Sequence, residues 1–199
     1  MKTSQDTVRV WDPVVRIGHW TLVLAFFTAY FTEDDFMTQH VWAGYVVGAV
    51  VCFRLLWGFV GTRHARFGDF VRSPAAVIRY LRDLRKKPGK RYLGHNPAGG
   101  AMIVALLLCL GTTVYTGLAL YAIEEHAGPL AALFAAQPAS GTGTGHEEDP
   151  REEFWEELHE VFTNITLALV ILHVAGGLLS SYLYNENLIR AMITGRKRP

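Results

Sequence analysis

Four histidines stand in or beside long apolar segments, where an ionisable side chain is costly and by default indicates function. His19 and His40 lie near the starts of the first two segments, and His159 and His173 lie 14 residues apart in the last. On a helix, 14 residues span about 21 Å and nearly four turns, so both imidazoles face one side. Two imidazoles from different helices at one level are what a planar, metal-centred cofactor requires.

Haem is the occupant that this pattern favours. Two axial ligands of one type leave no open iron position, which favours electron transfer over oxygen chemistry at the metal. A zinc site would need four ligands, commonly including Cys or carboxylate, and the sequence offers no such set at either level. The remaining interpretations are a chain of titrating histidines in a proton pathway, ordinary packing of the imidazoles, and a metal other than haem iron.

Arg54 is the lone charge deep within a predicted span, and it follows His40 by 14 residues. The same helical arithmetic puts it along the His40 face, one level deeper in the membrane. A haem propionate would be a fitting partner for an arginine that is otherwise unfavourable to bury. The alternative is that the side chain snorkels to the nearby membrane surface.

These residues need membrane-spanning helices to position them. Half of the 199 residues are hydrophobic, and uncharged runs of 16, 18, 32 and 25 residues occur along the chain. A bilayer core requires roughly 20 mostly apolar residues per helix. This distribution excludes a soluble globule, a disordered chain and a nucleic-acid-binding domain. It predicts an all-α, integral membrane four-helix bundle as a single domain, residues 1–199, with spans at about 17–32, 40–60, 98–122 and 154–183.

Charge is segregated along the chain, although the net charge is only +1. Arg54 aside, 17 of the 18 Lys and Arg lie in the termini and the second connection, whereas residues 124–160 hold ten acids and one Arg. By the positive-inside rule, both termini and the basic connection are cytoplasmic and both acidic connections are outside. This topology pairs His19 with His173 at the inner level and His40 with His159 at the outer level.

The basic second connection contains a predicted helix. Ser73 offers an N-cap and is followed by Pro74, which suits the first helical position. The apolar side chains that follow recur on one face, which is typical of a short helix lying on the inner membrane surface; they are Val77, Ile78, Leu81 and Leu84. In the last connection, residues 137–145 have a loop-like composition.

Five stretches resemble prokaryotic members of the cytochrome b561 superfamily, in the branch that includes the cytochrome b subunit of nickel-iron hydrogenases. They cover nearly the whole chain apart from the connection around 122–150, and they are specific in combination rather than singly. The stretches are VWDPVVRIGHW (Val10–Trp20), HVWAGYVVG (His40–Gly48), FRLLWGFVGTRHARF (Phe53–Phe67), YLGHNPAGG (Tyr92–Gly100) and LHEVFTNITLALVILHVAG (Leu158–Gly176).

The resemblance implies a protein of the bacterial inner membrane that holds two b-type haems and moves electrons between quinone and a periplasmic partner, a c-type cytochrome or a dehydrogenase. It places the axial ligands at His19, His40, His159 and His173, and the haem-contacting arginine at Arg54. No flavin- or nickel-binding motif is present, so the chain resembles an electron-carrying subunit. Two alternatives stay open: a stand-alone enzyme that oxidises superoxide and reduces quinone, and a haem-bearing membrane anchor of a hydrogenase or dehydrogenase complex.

Quinone and partner sites are less marked in the sequence. A quinone needs an apolar slot with a few proton-exchanging groups; the candidates are His64 and His95 near the inner connection and Tyr115 and Tyr121 in the third span. Each also has a structural explanation; GHNPAGG around His95, for instance, suits a turn into the third span. An acidic stretch would steer a basic partner or is simply a solvated loop; its members are Glu147, Glu148, Asp149, Glu152, Glu153, Glu156 and Glu157.

Overall fold

The computed structural model describes residues 7–33, 35–84, 91–135 and 150–198. Among them, four helices are long and apolar enough to cross a membrane, which confirms the predicted all-α membrane bundle. The elements in chain order are β1 (Val8–Arg9), α1 (Pro13–Phe31), α2 (Met37–Val60), a 3₁₀ turn (Arg63–Ala65), α3 (Phe67–Phe70), α4 (Pro74–Leu84), α5 (Pro97–Glu124), α6 (Ala131–Ala135), α7 (Pro150–Leu183), α8 (Leu188–Thr194) and β2 (Arg196–Lys197).

The spanning helices begin earlier than the apolar runs predict, because their first turns are polar or contain proline. At α1, the Asp12 carboxylate accepts a hydrogen bond from the backbone N–H of Val15 at 2.8 Å, and Pro13 takes the first helical position. At α5, the Asn96 side chain accepts from Gly99 N–H at 2.7 Å. Capping residues therefore decide where these helices start, whereas hydropathy locates only their middles.

The core of the bundle is apolar and lies between α1, α2 and α5. Six buried residues form it, with Leu167 and Val170 of α7 packed against them; the six are Ala25, Phe26, Val47, Val51, Leu107 and Leu110. Large apolar side chains on the outer faces are exposed, among them Leu24 and Leu172. Such a surface is suited to lipid, since hydrocarbon tails are as apolar as the side chains that they contact.

The first and last described segments of the chain meet at one end of the bundle, which we call the terminal end. The strands β1 and β2 pair antiparallel there, with Val8 opposite Lys197. Gly195 ends α8 in the left-handed conformation with φ of 78°, and a Cβ there would come within 2.7 Å of the Trp11 carbonyl oxygen. Trp11 is buried beside Ala191. This cap over the terminal end was not foreseen from the sequence.

The helix α4 occupies the position predicted for the short amphipathic helix. The side chain of Ser73 accepts from the N–H of Ala76 at 3.4 Å, as an N-cap does, and no residue of α4 is fully buried. The loop-like segment 137–145 and three of the acidic residues predicted to steer a partner lie outside the described residues; these acids are Glu147, Glu148 and Asp149. The opposite end of the bundle, where α1 ends and α7 begins, is called the far end below.

Candidate cofactor sites

The fold brings the four membrane histidines together in two pairs. At the terminal end, the ring centroids of His19 on α1 and His173 on α7 are 6.4 Å apart. At the far end, the ring centroids of His40 on α2 and His159 on α7 are 6.1 Å apart. Each pair therefore joins two different helices, and the 14-residue spacing on α7 supplies one imidazole to each level.

Both separations suit two imidazoles that bind one metal from opposite faces. A metal–nitrogen bond of about 2 Å puts the two coordinating nitrogens about 4 Å apart and the ring centroids about 6 Å apart. Among the described residues, no group of three or more His, Cys, Asp or Glu could hold a metal ion. Two imidazoles at this separation would fit the donor set that a bis-imidazole haem requires.

Hydrogen bonds fix the tautomer of both far-end histidines. His40 donates from Nδ1 to the carbonyl oxygen of Ala29 at 2.9 Å, and His159 donates from Nδ1 to that of Thr113 at 3.0 Å. The hydroxyl of Thr116 is also 3.0 Å from His159 Nδ1. Because a carbonyl oxygen can only accept, each Nδ1 carries the proton and each Nε2 keeps its lone pair. This is the arrangement that metal-binding histidines use.

The helices explain why these acceptors are available. Ala29 lies in the last turn of α1, where its carbonyl oxygen accepts from the N–H of the C-cap residue Thr32 at 3.2 Å and keeps a second lone pair for His40. The imidazole of His159 approaches α5 closely at Gly117, where a Cβ would come within 2.8 Å of His159 Cε1. The far-end cavity is lined by both histidines together with Gly44, where a Cβ would meet nothing within 4 Å, and by the carboxyl-bearing Glu33. The site thus has open space beside its imidazoles.

The terminal-end pair has different surroundings. The Nδ1 atom of His19 is buried, with no hydrogen-bonding partner within the described part of the chain. Nearby, the guanidinium carbon of Arg54 lies 5.5 Å from the ring centroid of Phe67 and 5.8 Å from that of Phe70. One guanidinium nitrogen of Arg54, Nη1, is also buried and unpartnered among those residues. Buried donors without partners are uncommon in native proteins, so an anion would fit this end.

The predicted quinone residues are divided between the two ends. His64 is at the terminal end, where its Nδ1 lies 2.9 Å from Oδ2 of Asp69. His95 lies between the rings of Trp11 and Phe70, at centroid distances of 4.5 and 4.9 Å. Burial, reinforced by nearby positive charges, lowers the pKa of His95 to about 3. It is therefore neutral at physiological pH.

The two tyrosines, Tyr115 and Tyr121, lie in the second half of α5, toward the far end. Tyr115 is 46% exposed and packs edge-on against Trp155, with 5.7 Å between ring centroids. Tyr121 lines the far-end cavity. The structure therefore groups His64 with His95 and separates both from the tyrosines.

Several residues of the sites were missed by sequence reasoning. Asp69 and Glu33 lie in short polar segments, where a carboxylate carries no signal. Thr113 and Thr116 are polar residues within an apolar span, which is a weak signal because a hydroxyl can also bond its own helix. Thr116 is 1% exposed. Its hydroxyl contacts His159 and also donates to the carbonyl oxygen of Thr113 in its own helix, at 2.9 Å.

Comparison with known proteins gives a consistent family. Residues 10–195 match the family described as prokaryotic cytochrome b561. A probable Ni/Fe-hydrogenase B-type cytochrome subunit of Bradyrhizobium diazoefficiens is 26% identical, over 98% of this chain and 87% of the relative. The subunit of that name from Rhodobacter capsulatus is also 26% identical, over 97% and 82%. A probable Ni/Fe-hydrogenase 1 B-type cytochrome subunit of Escherichia coli K12 is 29% identical, over 63% and 66%. No solved structure matched.

Proposed function

Because the chain belongs to the prokaryotic cytochrome b561 family, we propose that it transfers electrons across the bacterial inner membrane by way of two b-type haems, between quinone and a periplasmic redox partner. The family and the four apolar helices make it a haem-bearing, multi-pass membrane electron-transfer protein. What we propose beyond this is that the protein binds two haems, that it exchanges electrons with quinone, and that its partner is a periplasmic redox protein.

One observation supports this function above the others: two imidazole pairs, each at the separation that one iron requires, stand at opposite ends of the bundle. Haem iron, when bound, supplies one-electron chemistry by alternating between its ferric and ferrous states. His19 and His173 would hold one haem, and His40 and His159 the other. Each pair would supply two imidazoles to one iron and so would leave no position for oxygen, while the apolar core between the two pairs keeps water from the space between them.

Haem content tests this proposal directly. The purified protein should contain two haems per chain, and its reduced-minus-oxidised spectrum should be that of a six-coordinate b-type cytochrome. One haem per chain would contradict the two-site arrangement. A colourless protein with no extractable porphyrin would remove the proposed function altogether.

Charge supports an orientation with the terminal end in the cytoplasm. The basic residues around the 3₁₀ turn and α3 are at that end, whereas the far end carries the acidic first turns of α7. The positive-inside rule then leaves both termini inside and the far end outside. Labelling of single cysteines from either side of the membrane tests the orientation, since residues in α4 should react only from inside.

The terminal end is where we place the quinone. His64 donates from Nδ1 to Asp69, which orients the ring and leaves Nε2 to exchange protons with a quinone oxygen. His64 is half-buried, so it is accessible from the membrane surface. Tyr115 remains a candidate only for a separate site at the far end. Replacing His64 with Gln should slow quinone reduction while leaving both haems bound.

The relatives' names favour a second candidate, a haem-bearing membrane anchor of a hydrogenase complex. An anchor and a freely diffusing electron carrier differ in how tightly the partner is held. Purification in mild detergent distinguishes them, because an obligate anchor should be recovered together with its hydrogenase partner. Recovery of the chain alone, with both haems and rapid electron transfer to an added c-type cytochrome, would favour the carrier.

A further inference from the structure

One buried aromatic ring at the terminal end is contacted by two polar groups that the proposed electron transfer does not use. Phe70 is 1% exposed. The guanidinium carbon of Arg54 lies 5.8 Å from the centroid of its ring, and the imidazole centroid of His95 lies 4.9 Å from it. Arg54 and His95 therefore lie around the same ring and act on each other electrostatically, although they come from α2 and from the segment that precedes α5; the region around this ring is the volume considered below.

Both groups have a buried polar atom without a hydrogen-bonding partner in the part of the chain that the structure describes. The atoms are Nη1 of Arg54 and Nδ1 of His95. Most buried polar atoms in native proteins are paired, and an exception requires an explanation such as a bound group. Two such atoms beside one ring point to a ligand that supplies acceptors to both.

The carboxylates around this volume already have donors. Asp12 accepts from Val15 N–H at 2.8 Å, from the Thr62 hydroxyl at 2.5 Å and from the Trp57 indole at 3.3 Å. Asp69 accepts from His64. At the cap, Glu186 accepts from Arg91 and lies 3.6 Å from the ammonium group of Lys197. These carboxylates are therefore engaged with other donors; Asp12 also attracts Arg54 electrostatically, but within the described part of the chain Nη1 of Arg54 forms no hydrogen bond with it.

The electrostatic surroundings of His95 are positive. Four groups interact electrostatically with its imidazole, and each of them is neutral or positively charged; they are Arg54, Lys197, His173 and His64. The unpartnered Nη1 of Arg54 is a donor, and the unpartnered Nδ1 of His95 is one in the tautomer that carries the ring proton there; with positive charge around them, these groups suit an anion. Because His173 acts on His95 and forms the terminal-end pair with His19, that anion would lie beside the cofactor bound there.

The resemblance already implies that Arg54 contacts a haem; we propose that His95 is a second residue that binds the carboxylate side chains of the haem held between His19 and His173, beside Arg54. The inference rests on the proposed function, because it requires a haem at the terminal end. A haem b edge carries two propionates, and an arginine–carboxylate hydrogen bond is among the strong ones in proteins. His95 is thereby given a role at the cofactor edge, in place of the predicted role in a quinone site.

The terminal cap positions His95 for this role. The ring of Trp11 lies 4.5 Å from that of His95, centroid to centroid, and the ammonium group of Lys197 lies 5.6 Å from the Trp11 ring. Trp11 donates from its backbone N–H to Gly195 at 3.2 Å, beside the paired strands. The paired segments β1 and β2 and the residues beside them therefore hold Trp11 against His95.

Variants of the full-length, haem-loaded protein test the proposal. Arg54→Met and His95→Phe remove the donors while keeping most of the volume, and Arg54→Lys and His95→Gln keep a donor. His126→Asn is the matched control, because His126 is an exposed histidine at the far end with a φ of 52°, which asparagine tolerates. Two quantities are measured for each haem: the rate of its loss to a haem scavenger and its midpoint potential.

We expect His95→Phe and Arg54→Met each to speed haem loss from the terminal-end site by about tenfold to a hundredfold, as for the loss of a hydrogen bond to a charged group. They should also lower the midpoint potential of that haem, because a less neutralised propionate disfavours the ferrous state. The far-end haem should not change. His95→Gln and Arg54→Lys should fall between these variants and the wild type, and they replace any variant that fails to fold.

The proposal is overturned if the donor-removing variants retain wild-type haem loss and potential, or if both haems change equally. Loss of bound anionic lipid with an unchanged haem would assign the site to a lipid headgroup instead, and would also overturn it. These results differ from a failure of the proposed function. In that case the wild-type protein itself would hold no haem at the terminal end.

Discussion

The two histidine pairs differ in what holds their imidazoles. At the far end, carbonyl oxygens accept from both Nδ1 atoms, whereas Nδ1 of His19 has no such partner among the described residues. A hydrogen bond from the second ring nitrogen orients a ligand and increases its basicity. The two pairs consist of the same residue type, but their imidazoles have different hydrogen-bonding surroundings, so the two sites are not equivalent.

Removing one ligand at a time tests the assignment of each pair. His173→Ala should abolish the terminal-end haem and His159→Ala the far-end haem, with the other haem retained in each case. The reason is that each substitution takes away one of only two axial ligands at one site. Haem per chain should fall from two to one, measured as extracted pyridine haemochrome. Loss of both haems from either variant would contradict independent sites.

Thr116 offers a finer test at the far end. Thr116→Val is nearly isosteric and removes one acceptor from His159 Nδ1, so haem retention there should weaken by about tenfold. The matched control is Thr112→Val, since the Thr112 hydroxyl donates to the carbonyl oxygen of Leu108 in its own helix, at 3.0 Å, and among the described residues no hydrogen bond joins it to a histidine. Equal haem retention in the two variants would show that the Thr116 hydroxyl does not support the ligand.

Helix packing sets the distance between ligand and cofactor. α5 and α7 pack closely, and His159 passes α5 at a glycine. A second glycine of α5, Gly111, has nothing within 4 Å of the position that a Cβ would take. The two glycines thus distinguish a requirement for close approach from the general effect of adding a methyl group to a helix.

Gly117→Ala should reduce occupancy of the far-end haem, because the added Cβ would lie 2.8 Å from His159 Cε1 and displace the imidazole. Gly111→Ala should leave occupancy unchanged and raise helix stability by about 0.5–1 kcal/mol. Haem content and thermal unfolding of the two variants check both expectations. A Gly117→Ala protein with full far-end occupancy would show that α7 can shift without harm.

The elements were predictable to different degrees. The middle of each spanning helix is evident from hydropathy, and the short helix α4 is evident from Ser73-Pro74 and the apolar spacing after it. The true start of α1 depends on Asp12, whose cap is a common but not obligatory use of aspartate. Nothing local marks β1 and β2, because each is two residues long and exists only by pairing with the other.

The two ends of the molecule differ in charge and in the hydrogen bonds made by their histidines. Glu33 lines the far-end cavity, whereas Arg54 stands at the terminal end. A negative charge and strongly donating imidazoles favour ferric iron, and a positive charge favours ferrous iron. We therefore expect the far-end haem to have the lower midpoint potential. Potentiometric titration of the wild type and of the two single-haem variants measures this order; the reverse order would contradict it.

The acidic far end should also affect encounter with a basic partner. Raising ionic strength from 0.01 to 0.1 M shortens the screening length from about 30 to about 10 Å, so electron transfer with a small basic cytochrome should slow. Replacing exposed Glu153, Glu156 and Glu157 with Gln should slow the low-salt reaction and flatten its salt dependence. A stopped-flow rate that does not vary with salt in the wild type would exclude steering.

The sequence alone determined the class of this protein, its four spans and the faces on which the histidines lie. Span length and helical periodicity are local properties, and a run of neighbouring residues contains them completely. Only the tertiary structure decided which carbonyl oxygens hold His40 and His159, and that Trp11 packs against His95 with Lys197 on the Trp11 ring. Those contacts join residues far apart in the chain, and they depend on how helices approach one another, which no local pattern records.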